Sequence, residues 1–148
     1  MTELRRVFDD LVRFETDLRN GLDARLRRAG AVPLGGLNVL QVVRRTPGCR
    51  INDVADALGI TIGGASQAVD RMVAQRLCAR RPNPDDRRSS IVELTSAGAA
   101  AVAEADEVFD AALAEYFAAA SPSALRTLSR TLSTLRAAAR RLNGAPDS

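Results

Sequence analysis

Arg80, Arg81, Arg87 and Arg88 bracket a turn-forming run, Pro82-Asn83-Pro84-Asp85-Asp86. Four arginines on one small projection either keep a hairpin edge soluble or meet phosphates. Other side chains able to do chemistry are scarce. The chain has no histidine and no lysine, which removes the imidazole base and the Schiff-base amine. Cys49 and Cys78, with no histidine, cannot make the usual four-ligand zinc site. The carboxylate pairs Asp9-Asp10 and Asp85-Asp86 stand on a charged helix face or in a turn, with no glycine-rich phosphate loop beside them. The expectation is therefore a protein that is not an enzyme, holds no metal and needs no cofactor.

At 148 residues the chain is one domain's worth. It is 46% hydrophobic but only 3% aromatic, which favours helices around an aliphatic interior. The formal charge of +3 is modest, so the placement of the arginines matters more than their sum. They concentrate at the hairpin and at the two ends. The opening MTELRRVFDD is charged throughout, and no segment is long and apolar enough to span a bilayer. A cytoplasmic protein with no membrane partner is expected. In that setting a disulfide between Cys49 and Cys78 is not.

The elements that must position these residues follow from periodicity. Leu4, Val7, Phe8, Leu11, Phe14, Leu18, Leu22 and Leu26 recur every three or four residues, the mark of a long amphipathic helix whose stripe packs on its own core or on a second subunit. Gly30-Ala31-Val32-Pro33 interrupts it, and a short helix through Leu37, Leu40 and Val43 runs to Pro47-Gly48. INDVADAL, residues 51–58, reads as a compact helix capped by Asn52. Gly59 closes it, and residues 65–77 form the next helix, with Ala68, Val69, Met72 and Val73 facing inward. Gly63-Gly64 leave its start open: either the helix begins at Ala65, or a bare backbone lets the chain approach a phosphate. Strands at 77–81 and 89–94 flank the turn at 82–86. Thr95 then caps a helix from Ser96 to about Ala120, with Val102, Val108, Phe109, Leu113, Tyr116 and Phe117 as its buried stripe. Ser121-Pro122 starts a last helix carrying Leu125, Leu128, Leu132, Leu135 and Leu142.

A small residue in one helix and a glycine in the link let two helices cross closely, and Ala55 and Gly59 meet that need. Followed by an arginine-bearing hairpin, the pair reads as a winged helix-turn-helix, with one helix in the major groove and the wing on phosphates or the minor groove. Asp53-Val54-Ala55 with Leu58, Val69-Asp70-Arg71, Asn83-Pro84-Asp85-Asp86-Arg87-Arg88, and Leu94-Thr95 with Gly98 carry a specific likeness. On these residues the chain resembles the MarR family of bacterial transcriptional regulators.

The resemblance covers nearly the whole chain and implies one domain, 1–148. It is mainly α with a small β-hairpin wing: residues 33–98 a winged helix-turn-helix DNA-binding lobe, 96–120 a connecting helix, 1–29 and 121–143 dimerisation helices. It implies a homodimeric repressor on double-stranded DNA with a palindromic operator. The DNA-binding set it implies is Thr61, Gly63, Gly64, Ser66, Gln67, Arg71, Arg81, Arg87 and Arg88. Within that set Ser66 and Gln67 fall at base-reading positions, Arg71 and Arg87 on phosphates, and Arg88 in the minor groove. Asp86 steadies the wing through an arginine. The family's habit of release by a small ligand, frequently an aromatic acid, offers Arg13 and Arg19 as carboxylate partners. Two other readings stay open. One is a thiol-based redox regulator, in which Arg76 and Arg80 lower the Cys78 pKa, against which Cys78 is a buried small hydrophobe. The other is a winged-helix module that binds protein.

Overall fold

Helical periodicity over most of the chain, broken by one alternating stretch, folds as expected into helices around a single hairpin. The computed structural model describes residues 2–144. Its elements are α1 (Glu3–Arg28), α2 (Leu34–Arg45), α3 (Ile51–Leu58), α4 (Ile62–Ala74), β1 (Cys78–Asn83), β2 (Asp86–Leu94), α5 (Ser96–Phe117) and α6 (Pro122–Gly144). Two compact units result, Met1–Ala112 and Leu113–Ser148.

The first unit holds the core. Leu26, Leu37, Leu40, Val54, Val69, Val92 and Val102 are fully buried, one or more from each of α1 to α5 and the hairpin. In α5 the inward face within this unit is made of Gly98, Val102, Ala105 and Ala112, whereas Val108 and Phe109 are only half-buried. The expected stripe of large side chains is thus replaced by small ones, which let the helix lie close. Of the α1 stripe only Leu22 and Leu26 are buried. In the second unit α6 has no buried residue.

The helix ends show why the chain turns where it does. Pro33 has no side-chain oxygen to cap α2; the Asp23 carboxylate on α1 does so instead, accepting from the Leu34 N–H at 2.9 Å. Hydrogen bonds from Arg27 and from that backbone N–H hold the Asp23 carboxyl below its ordinary range. Helix α3 begins at Ile51, not after Asn52, because the Asp53 carboxylate reaches back to the Arg50 N–H at 2.8 Å and satisfies the first turn. Gly59, at φ +65°, ends it in the left-handed conformation that glycine adopts without strain.

Helix α4 stops at Ala74, three residues before the expected end, by a six-to-one and five-to-two pair of bonds: Leu77 N–H to the Met72 carbonyl and Arg76 N–H to Val73. This places Arg76 at φ +61°, the only non-glycine residue with positive φ among the described residues. Helix α5 likewise ends at Phe117, short of Ala120, and Ser121 caps α6 through the Ala124 N–H at 3.1 Å.

The foot of the hairpin is locked to α5. The Thr95 hydroxyl donates to the Arg76 carbonyl at 2.6 Å and accepts from the Gly98 N–H at 2.9 Å, so one side chain caps α5 and holds the end of α4. The Thr95 N–H bonds the Leu77 carbonyl. A Cβ on Gly98 would stand 1.9 Å from that same carbonyl oxygen, so only glycine fits.

Cys49 and Cys78 are both buried free thiols. Cys49 extends the hairpin, its carbonyl accepting from Val92 N–H at 2.7 Å. Burial pushes each thiol up to about 11. Burial outweighs the two arginines near Cys78 in sequence, which favours the buried-hydrophobe reading.

Gly98→Ala should cost about 3 kcal/mol in urea unfolding followed by circular dichroism, and an unchanged midpoint would contradict the close approach at Leu77. Because the thiols sit about two units above their ordinary value of 9.0, alkylation at pH 8 should be about 100-fold slower in the folded protein than in the urea-unfolded chain; equal rates would contradict it.

Candidate nucleic-acid interface

A recognition helix needs a free N-terminus and exposed side chains beyond it. Helix α4 begins at Ile62, so both glycines lie inside its first turn. Thr61 is the cap, its hydroxyl accepting from the Gly64 N–H at 3.0 Å. Nothing lies within 4 Å of the place where a Gly63 Cβ would stand. The open alternative therefore resolves toward an early start with bare backbone at the tip. Gln67 and Arg71 are exposed one turn apart on α4.

Ser66 is half-buried, and an arginine takes its polar atoms. Arg80, on β1, donates to the Ser66 carbonyl at 3.3 Å, to its hydroxyl at 3.2 Å and to the Asp70 carboxylate at 2.7 Å. One guanidinium thereby ties the wing to two successive turns of α4. The spacing of Ser66 and Asp70 is readable in the sequence, but pairing them with Arg80 needs the crossing angle of strand and helix.

The wing's tip is tighter than the expected five-residue turn. Pairing continues through Pro82 opposite Ser90 and Asn83 opposite Asp86, leaving Pro84-Asp85 as the turn. Asn83, the only buried polar residue among those described, accepts from the Asp85 N–H at 3.0 Å and donates to the Ser89 hydroxyl at 3.1 Å. It closes the tip from inside, a role absent from the sequence reading; an Asn two residues before an Asp in a turn is the signal that marks it. Arg87, Arg88 and Ser89 stand outside the one-to-one pairing, in a bulge of β2. Asp86 accepts from the Arg88 backbone N–H at 2.9 Å, so it holds the arginine's main chain and leaves its guanidinium out.

The arginines divide by partner. Arg81 pairs with Glu93 at 2.6 Å, and Arg80 is committed to α4. Arg71, Arg87 and Arg88 are exposed and have no ion-pair partner among the described residues. Three uncompensated guanidiniums, one on the helix and two on the wing, thus face solvent from one lobe. A cavity of about 310 Å³ between helix and wing is lined by Arg50, Asn52, Ile62, Ser66, Arg80 and Arg88.

A larger cavity of about 550 Å³ lies on the other side of α4, between it, α1 and α2, and takes in Arg19, Arg27, Asn38, Arg71 and Gln75. Arg19 also pairs with Glu15 at 2.9 Å. Arg13 does not reach the cavity; it pairs with Asp9 at 3.0 Å on an exposed face of α1. Elsewhere on α2, Gln41 and Arg44 bond Asp106 on α5. Burial would raise that carboxyl, but these hydrogen bonds and the guanidinium charge hold it below its ordinary range. No group of three or more potential metal ligands occurs among the described residues. Among them, too, no helix is long and apolar enough to cross a membrane.

Residues 37–89, from α2 through the wing bulge, match the MarR family. No curated protein sequence matches the chain. Among solved structures, AbsC, a MarR family transcriptional regulator from Streptomyces coelicolor, superposes with a TM-score of 0.84 at 21% identity over 98% of both chains. A cysteine-to-serine mutant of MarR from E. coli, complexed with operator DNA, gives 0.80 at 19% identity over 91% of this chain and 99% of that one. BpsR of Bordetella bronchiseptica, whose DNA binding is regulated by 6-hydroxynicotinic acid, gives 0.80 at 22% over 88% and 98%. Similarity this low in sequence speaks for the fold alone, and the family match is confined to residues 37–89. The helix-turn-helix and the first part of the wing thus match the MarR family, and the fold, flanking helices included, is that of MarR family transcriptional regulators of known structure.

Proposed function

We propose that the protein is a homodimeric repressor that binds a palindromic operator in double-stranded DNA and lets go when a small aromatic acid binds. The observation that carries the DNA reading is the set of unpaired arginines, Arg71 on α4 and Arg87 and Arg88 in the bulge of β2, together with a capped helix N-terminus. Bringing such charges onto phosphates releases counterions. Thr61, Gly63 and Gly64 bring the helix N-terminus up to a phosphate, which meets the first-turn N–H groups other than that of Gly64, already held by the Thr61 hydroxyl. Gln67 reads a base, adenine being its natural bidentate partner. Ser66 is held by Arg80 and contributes more to the angle of the wing than to readout. Arg81 joins the phosphate set by exchanging Glu93, an exposed pair worth little by itself. Arg88, its guanidinium left out by the Asp86 bond to its main chain, enters the minor groove.

The homodimer rests on apolar stripes that the fold alone leaves uncovered. Leu4, Phe8 and Leu11 on α1 are 81%, 68% and 45% exposed. On α6, Leu128, Leu135 and Leu142 repeat every seven residues and are all exposed, with Leu132 between the first two, the spacing of a helix–helix seam. A twofold dimer would set two recognition helices about 34 Å apart, one turn of duplex.

The effector reading rests on the 550 Å³ cavity, of a size that suits a small ligand. Arg71 serves both sites in this proposal: an aromatic carboxylate held by Arg19, Arg27 and Arg71 takes away a phosphate contact as it binds. A structural neighbour regulated by 6-hydroxynicotinic acid fits that chemistry. The cytosol, where DNA is, is the compartment the reading requires.

Arg88→Ala should weaken binding to a duplex enriched by the full-length protein from a random pool. It should also lower the slope of log K against log salt by about one. Fluorescence anisotropy titrations at several salt concentrations measure both, and an unchanged slope would remove Arg88 from the interface. Replacing Leu4 and Phe8 together by Asp should turn the dimer into monomer in sedimentation velocity. A variant that still sediments as a dimer would place the interface elsewhere.

A further inference from the structure

Ile62 is the first residue of α4 and is 59% exposed. Single exposed apolar residues are ordinary, but its surroundings are not. Arg50 and Asn52 at the start of α3, Ser66 one turn on along α4, and Arg80 and Arg88 of the wing line the same 310 Å³ cavity. Ile62 is the exposed large aliphatic side chain of this lining, Ile51 being half-buried, and around it stand guanidinium, amide and hydroxyl groups and one carboxylate, that of Asp86, whose oxygen is taken by the Arg88 N–H. The next residue, Gly63, has no side chain and open space around it. The isoleucine therefore projects past bare backbone, and a partner can approach until it touches the side chain itself.

We propose that Ile62 reads the C5-methyl group of a thymine in the major groove. The inference rests on the DNA-binding reading above and deepens it by assigning an apolar readout residue. Three guanidiniums, of Arg50, Arg80 and Arg88, outnumber the single Asp86 carboxylate in the lining, so a partner matched to this patch is anionic around an apolar point. The phosphates of a duplex supply the first. Of the groups base pairs present in the major groove, the thymine methyl is the apolar one. The N-terminal residues of a recognition helix are those that reach base edges, and Ile62 is the first of them. Arg88, and Arg50 on exchanging its 3.9 Å contact with Asp53, hold phosphates and fix the depth at which the side chain meets the methyl. Ile62 itself gains no charge contact, so it contributes specificity without salt dependence.

The test uses the full-length protein and a duplex it enriches from a random pool, with each thymine in turn replaced by deoxyuridine, which lacks only the methyl group. For the wild-type protein one thymine in each half-site should lose about fourfold in affinity on replacement, the worth of one buried methyl-sized group. Ile62→Ala should lose a similar factor on the thymine duplex and then be indifferent to uracil at that position. Ile62→Val should restore most of the affinity and the uracil sensitivity, and neither variant should change the salt slope. Because the side chain is exposed, the thermal midpoint of Ile62→Ala should match the wild type. An Ile62→Ala protein that binds the thymine duplex as tightly as the wild type, or remains as sensitive to every uracil, overturns the assignment while DNA binding stands. Failure of the wild-type protein to enrich any duplex overturns the DNA reading and this inference with it.

Discussion

The structure depends on one crowded junction, where the Leu77 carbonyl meets the first turn of α5. Its oxygen accepts from the Thr95 N–H, and it lies so near Gly98 that a methyl group there would overlap it. The Thr95 hydroxyl bonds the Arg76 carbonyl on the same segment. The end of α4, the foot of β1, the end of β2 and the start of α5 are thereby fastened within a few residues. Arg76 accepts a left-handed backbone, costing on the order of 1 kcal/mol, so that the chain can turn into this junction. Everything proposed for DNA presupposes it, because it sets where the wing leaves the helix.

The Arg80 clamp acts at the other end of the same contact. Its guanidinium bridges Ser66 and Asp70, so the wing cannot swing relative to α4 without breaking those bonds. Rigid placement matters for a reader of two grooves, since ordering a loose wing on binding would cost conformational entropy. The division of labour among arginines follows. Arg80 and Arg81, with carboxylate partners, shape the wing in the free protein, and only Arg81 exchanges its partner in the proposed complex; Arg71, Arg87 and Arg88, without carboxylates, remain for its phosphates and minor groove. Arg71 lines the larger cavity as well, which would give a carboxylate effector and the DNA backbone a common point of competition.

Much of this is legible in the residues. Helical spacing marks every helix, Gly59 marks the break between α3 and α4, and Thr95 marks the start of α5. The differences share a cause. Asn52 reads as the α3 cap where Asp53 serves, since both side chains can satisfy the first turn and only backbone geometry chooses between them. The wing turn reads too long because Pro82 and Pro84 signal loop locally, whereas Asn83 bonds Asp85 and Ser89 and carries the pairing on to Asp86. The α5 stripe reads as large side chains, but in the first unit alanines and Gly98 face the core because close packing there leaves no room for more.

By itself the sequence determined the kind of protein: helical, without the side chains for imidazole-base or Schiff-base catalysis, with a helix-turn-helix and an arginine-bearing hairpin in the order of a winged-helix regulator. Those properties are set by residue type and by periods of two to about seven residues, which survive without knowledge of distant contacts. Tertiary structure alone decided which arginines are free. Arg80 and Arg81 are neighbours of the same chemistry as Arg87 and Arg88, yet the first two find Asp70 and Glu93 across the fold, and the last two find no carboxylate among the described residues. Charge availability is a property of which carboxylate stands opposite, and that is fixed by packing between residues far apart in the chain.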